Sequence, residues 1–160
     1  MKTRLKEGGK LALCLLFCLA SGLLGRYFAS RGVSGWYQTL EKSPLNPPDW
    51  VFAPMWLILY CLMGTALYLI WKAPHNPEKL PAFAWFLAQW SFNILWSEAF
   101  FGLHLPEMGI SVILLLWGLI LITMIRFWKI DPRAGRLLWP YLLWVSFAAY
   151  LNWEIYRLNP

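Results

Sequence analysis

Three stripes of side chains in this sequence could act together. Gln89, Asn93, Trp96 and Ser97 recur at three- and four-residue spacing, as do Tyr141, Trp144, Ala148 and Asn152, and as do Trp56, Tyr60 and Met63. Such spacing puts each set on one face of a helix. A single stripe of this kind is ordinary helix packing. Three of them, each joining an indole or phenol to a small or polar neighbour, describe an aromatic cavity with a few hydrogen-bond donors. A flat, hydrophobic, conjugated molecule suits such a cavity.

The elements that must position these stripes are membrane spans. The chain is 59% hydrophobic, with 12 tryptophans in 160 residues, and a spanning helix needs about 20 mostly apolar residues. Five stretches qualify: 9–29, 50–71, 81–101, 108–128 and 135–156. The expected fold is therefore all-α, a polytopic membrane protein built as a bundle of five transmembrane helices, with 1–160 as one integral membrane domain. The spans leave no room for a soluble catalytic domain, and five cannot form two equal inverted halves of the kind many transporters use. Residues 30–49 form the one long connection. Gly32, Gly35, Pro44, Pro47 and Pro48 interrupt helix there, and the apolar residues around the Pro-Pro pair favour a packed lid over a loose linker.

The net charge of +6 marks topology rather than nucleic-acid binding. Ten of the 14 Lys and Arg fall on one side: Lys2, Arg4, Lys6, Lys10, Lys72, Lys79, Arg126, Lys129, Arg133 and Arg136. Arg26, Arg31, Lys42 and Arg157 fall on the other. In a bacterial cell membrane this bias puts the N-terminus in the cytoplasm and the lid and C-terminus outside. The basic start resembles a signal peptide, but apolar character continues through Leu23, Leu24, Tyr27 and Phe28, which favours a retained span. Arg26, Glu98 and Glu154 lie near the outer ends of their spans, where they either meet as one ion-pair cluster or each reach the interface. Cys14, Cys18 and Cys61 form no disulfide framework and read as packing. His75 and His104 fall in connections on opposite sides, so no metal site is expected.

Read in order, Trp36-Tyr37-x-x-Leu40-x-Lys42, Pro47-Pro48-x-Trp50, Pro54-x-Trp56-x-x-Leu59-Tyr60, Phe92-Asn93-x-x-Trp96, and Pro140-Tyr141-x-x-Trp144 with Leu151-Asn152 resemble the tryptophan-rich sensory protein family (TspO/MBR), the bacterial relatives of the mitochondrial translocator protein. The match runs over nearly the whole chain. The resemblance implies a five-helix bundle, commonly a homodimer, that acts as a membrane receptor or sensory protein. Its pocket would bind tetrapyrroles such as protoporphyrin and haem intermediates and modulate their handling, with no cofactor required. Carried over by motif, the pocket residues are Tyr37 and Pro47 from the lid, Trp56 and Tyr60, then Asn93, Trp96 and Ser97, then Trp144 and Ala148.

The resemblance also implies two alternatives: a light-dependent porphyrin-degrading enzyme, for which Trp56 and Trp144 would be the catalytic residues, and a porphyrin or sterol transporter. Two departures from the family pattern stand out. The lid reads Lys42-Ser43-Pro44-Leu45-Asn46-Pro47-Pro48 and lacks an indole that many relatives carry. The cholesterol motif fails in strict form, because Trp153 stands at one tyrosine position and Tyr156 adjoins Arg157 directly, which argues against sterol as a partner. Ala84 and Ala88 form a small-xxx-small pair on the third helix, the expected homodimer face.

Overall fold

The computed structural model describes residues 2–160, with side chains from residue 7 onward. The side chains of Lys2, Arg4 and Lys6, which entered the charge count, lie outside the described residues. All the regular secondary structure of the described residues is helical, with no strand. Its long helices are α1 (Lys2–Ser30), α3 (Asp49–Lys72), α4 (Lys79–Ser97), α5 (Pro106–Ile130) and α7 (Trp139–Leu158). Two short ones, α2 (Trp36–Thr39) and α6 (Pro132–Leu137), lie in connections. Three helical stretches are long and apolar enough to cross a membrane: Glu7–Ser30, Asp49–Lys72 and Pro106–Ile130. The other two long helices, α4 and α7, carry most of the polar residues of the stripes.

Proline sets several of the starts. Pro106 opens α5, Pro132 opens α6 and Pro140 stands in the first turn of α7, positions where the missing N–H would have no intrahelical partner. Asp131 caps α6 by accepting a hydrogen bond from the Arg133 amide at 2.9 Å. The guanidinium of Arg133, bonded to the same carboxylate, holds Asp131 below the usual carboxylate range. At its C-terminal end α4 widens into a π-helical turn, Glu98–Gly102. His104, at φ 58°, then takes the left-handed conformation that breaks the chain away toward α5.

α1 lies against α3 and α4, α4 against α5, α5 against α7, and α6 beneath α3. Gly64 makes the α1–α3 crossing possible, since a β-carbon there would lie 2.9 Å from the Leu15 Cα and 3.0 Å from the Cys14 carbonyl oxygen. Such close backbone approach at a small residue is how membrane helices gain dispersion contact without a hydrophobic driving force. Phe86 of α4 stacks on Phe127 of α5 with centroids 5.6 Å apart, and Met63, Ile70, Leu116, Ile120, Tyr141 and Val145 complete a fully buried core. Outside, Leu13, Leu16, Leu23, Leu57, Ile58, Leu114, Leu115 and Leu143 are exposed. An apolar coat on that scale is what a lipid solvent selects, and the protein is an integral membrane protein.

The two ends differ. At one, Lys10 lies over Trp71, Lys72 over Tyr68, and Arg126 pairs with Glu78 at 2.8 Å. At the other, the charged residues do not form the single cluster entertained from sequence. Glu98 faces Arg31 at 3.6 Å, whereas Glu154 pairs within its own helix with Arg157 at 2.9 Å. Local i,i+3 geometry serves Glu154 better than a partner two helices away. Cys14 and Cys18 are buried in the bundle, while Cys61 is exposed on the outer surface of α3. Ala84 is exposed on α4 and Ala88 half-buried.

Candidate ligand-binding site

The stripe on α4 faces inward as its period requires: Gln89, Asn93, Trp96 and Ser97 are all buried. On α7, Tyr141, Ala148 and Asn152 are buried and Trp144 is half-buried. On α3, Tyr60 and Met63 are buried and Trp56 is half-buried. The rings meet across the helices. Trp56 stacks on Tyr60 at 5.6 Å, lies 6.0 Å from Trp96 and meets Tyr141 edge-on at 6.3 Å. Trp96 continues the wall by stacking on Phe100 at 6.1 Å. Trp144 stands to one side, edge to face with Phe52 at 5.9 Å.

Two hydrogen-bond relays join these walls. Tyr60 Oη–H donates to Asn93 Oδ1 at 3.0 Å, and Asn93 Nδ2 donates to Tyr141 Oη at 3.0 Å. Nearer the lid, Trp96 Nε1–H donates to Asn152 Oδ1 at 3.1 Å, and Asn152 Nδ2 donates to the Pro106 carbonyl at 3.0 Å. The polar atoms of Tyr60, Asn93, Trp96, Tyr141 and Asn152 are thus bonded to one another or to backbone, where they fix the relative positions of α3, α4, α5 and α7, whereas the side-chain amide of buried Gln89 has no protein partner. To the side of these walls, next to Phe52, the buried indole N–H of Trp144 has no protein partner. Leaving such a donor unmatched is costly.

The lid closes this chamber. Tyr37, on the single turn of α2, is buried between Phe100 at 6.3 Å and Phe101 at 5.5 Å. Its phenol donates to Asn46 Oδ1 at 3.2 Å, and Lys42 Nζ sits 4.5 Å above its ring, a favourable cation–π placement. Burial pushes the Tyr37 hydroxyl above its usual value, so it stays a protonated donor at neutral pH. Pro47 is half-buried in the lid, its carbonyl accepting from Asn46 Nδ2 at 3.1 Å. Beneath the lid the walls leave a void of only about 30 Å³, bordered by Tyr37, Phe52, Trp96, Phe101, Ala148 and Ile155 among others.

The structure separates the sequence-derived set into parts. Tyr37, Trp96 and Ala148 border the void. Trp56, Tyr60 and Asn93 form the layer behind it, and Trp144 flanks it through Phe52. Ser97 turns toward α1, where its Oγ would lie 3.1 Å from a β-carbon at Gly25. Phe52, Phe100, Phe101, Leu151 and Ile155 border the void but were not among the expected residues. Phe100 is one turn beyond Trp96 and could have been found by extending the stripe. Phe101 reaches the same wall through the π-helical turn, which regular helical spacing does not anticipate. Among the described residues no group of three or more His, Cys, Asp or Glu could hold a metal ion.

Comparison with known proteins gives a consistent result. The family model described as the TspO/MBR family matches residues 14–157. The "Tryptophan-rich protein TspO" of Chlorobaculum tepidum is 45% identical over 154 residues, covering 94% of this chain and 96% of the relative. The "Tryptophan-rich sensory protein" of Cereibacter sphaeroides is 36% identical, with 92% of each chain covered. The human "Translocator protein" is 34% identical, covering 89% of this chain and 88% of its own.

Proposed function

We propose, from the premise that the chain belongs to the TspO/MBR family, that it is a five-span membrane receptor binding a tetrapyrrole such as protoporphyrin within the aromatic chamber and modulating its handling. The observation that carries this reading is the chamber itself. Indole, phenol and phenyl faces from α3, α4 and α7 converge beneath a lid, with small Ala148 at the border of the void and the unmatched indole N–H of Trp144 set behind Phe52. Stacking surfaces with few polar groups favour a flat conjugated ligand over a sugar, nucleotide or ion.

The void of about 30 Å³ has room for roughly one water molecule. Sites for molecules of this size typically enclose about 300–1,000 Å³. Binding therefore requires the lid to lift and the Phe100, Phe101 and Tyr37 rings to move. In this reading α4 and α7 cross the bilayer with the other three long helices, their polar side chains shielded within the bundle, as intramembrane polar groups generally are. The N-terminus is cytoplasmic in a bacterial cell membrane, and the exposed Ala84 face of α4 is the homodimer contact.

The test is an absorbance titration of protoporphyrin into the protein in lipid nanodiscs, in darkness, against nanodiscs without protein. The reading predicts a porphyrin band shift that saturates at one ligand per chain. Partition equal to that of the bare nanodiscs would refute it. Loss of the porphyrin spectrum on later illumination, abolished by Trp144→Phe, would move the function to porphyrin degradation.

A further inference from the structure

The lid is fastened along two edges of different chemistry. Toward the π-helical turn after α4 it is bedded among rings and backbone. Trp36 stacks on His104 at 4.8 Å and meets Phe100 edge-on at 5.6 Å, and Gly32 sits where a β-carbon would collide with the Phe101 carbonyl oxygen. Toward α7 the hold is polar. Glu41 N–H donates to Asn159 Oδ1 at 2.9 Å, and Asn159 Nδ2 donates back to the Glu41 carbonyl at 3.0 Å. One side chain thus occupies both backbone groups of one lid residue across 118 positions of sequence. The hydroxyls of Ser43 and Tyr150 form a second link at 3.2 Å.

The same Asn159 amide reaches the site. Its Nδ2 also donates to the Ile155 carbonyl at 2.8 Å, and Ile155 borders the void. The side chain that caps α7 is therefore the one that clasps the lid. Exposed hydrogen bonds exchange for bonds to water at small net cost, whereas stacked rings must surrender buried contact to part. The α7 edge is the one that opens, with the Trp36–His104 edge as pivot. Opening there uncovers Ala148, Leu151 and Ile155.

We propose that Asn159 is the latch of this lid and sets the rate at which a flat apolar ligand enters and leaves the chamber. The inference rests on the ligand-binding reading above. It requires an amide specifically. A carboxylate of the same shape still accepts from the Glu41 N–H, but it cannot donate to the Glu41 and Ile155 carbonyls.

The experiment compares the wild type with Asn159→Ala and Asn159→Asp in nanodiscs by two readouts. In amide hydrogen exchange without porphyrin, residues 40–46 should exchange roughly tenfold faster in Asn159→Ala, which loses both exposed bonds to Glu41, and faster by a smaller factor in Asn159→Asp, which loses only the one donated to the Glu41 carbonyl. Residues 36–38, on the pivot edge, should be unchanged. Protoporphyrin dissociation, followed by stopped flow, should accelerate by a similar factor. Unchanged exchange over 40–46 overturns the latch. Faster exchange with unchanged dissociation overturns its control of the ligand. Faster exchange in a protein that shows no saturable protoporphyrin binding upholds the latch and defeats the ligand reading instead.

Discussion

The hydroxyl of Tyr60 and the amide of Asn93 meet at 3.0 Å across the α3–α4 interface, and the other end of that amide holds Tyr141 of α7 at 3.0 Å. Three helices are therefore tied through one side chain in the dry interior. Asn93→Ala leaves two phenols without partners and should cost about 2 kcal/mol, while Tyr60→Phe, which removes one bond, should cost about 1 kcal/mol or less. Thermal unfolding in mild detergent measures both. A larger loss from Tyr60→Phe than from Asn93→Ala would show that the relay is not organised around the amide.

The α1–α3 crossing depends on a bare backbone. At Gly64 a β-carbon would press on the Leu15 Cα and the Cys14 carbonyl, neither of which can swing away, whereas nothing lies within 4 Å of a β-carbon at Gly118. Gly64→Ala should destabilise by about 1–3 kcal/mol through overpacking. Gly118→Ala should be neutral or stabilise by up to about 1 kcal/mol through helix propensity. Equal melting temperatures for the two variants would contradict the packing described.

The cap on α6 makes a prediction about pH. Asp131→Ala removes the side-chain acceptor for the Arg133 amide and should cost about 1 kcal/mol. Because the folded carboxyl titrates below its unfolded value, its contribution is present above the unfolded value and is lost as pH falls through the lower, folded one. The gap between wild type and variant should therefore hold steady across neutral pH and close only under strongly acid conditions. A gap that already closes between pH 7 and 5 would exclude this cap as its source.

The parts of the site that were legible in the sequence are those governed by helical period. Asn93, Trp96, Tyr141 and Ala148 are all buried, because the residues at three- and four-position spacing that belong together also face the same way. Partner choice was not legible. Nothing in the spacing says that Asn93 spends its amide on Tyr60 and Tyr141, that Ser97 turns to Gly25, or that Glu98 looks to Arg31 rather than to Arg26. Those outcomes depend on how helices are rotated against one another. Phe101 escaped because a π-helical turn shifts register, and the Asn159–Glu41 clasp because its two residues are brought together only by the completed bundle.

The central claim is that the ligand occupies the space between the lid and Ala148. The direct test is protoporphyrin titration by tryptophan quenching in the dark, with Ala148→Leu beside the wild type and the melting temperature of each recorded. Saturable quenching in the wild type, with apparent Kd raised at least about tenfold in a variant that remains folded, is the predicted result, since the added side chain overfills a void of about 30 Å³. Equal affinity in the two folded proteins would place the ligand elsewhere and contradict the account.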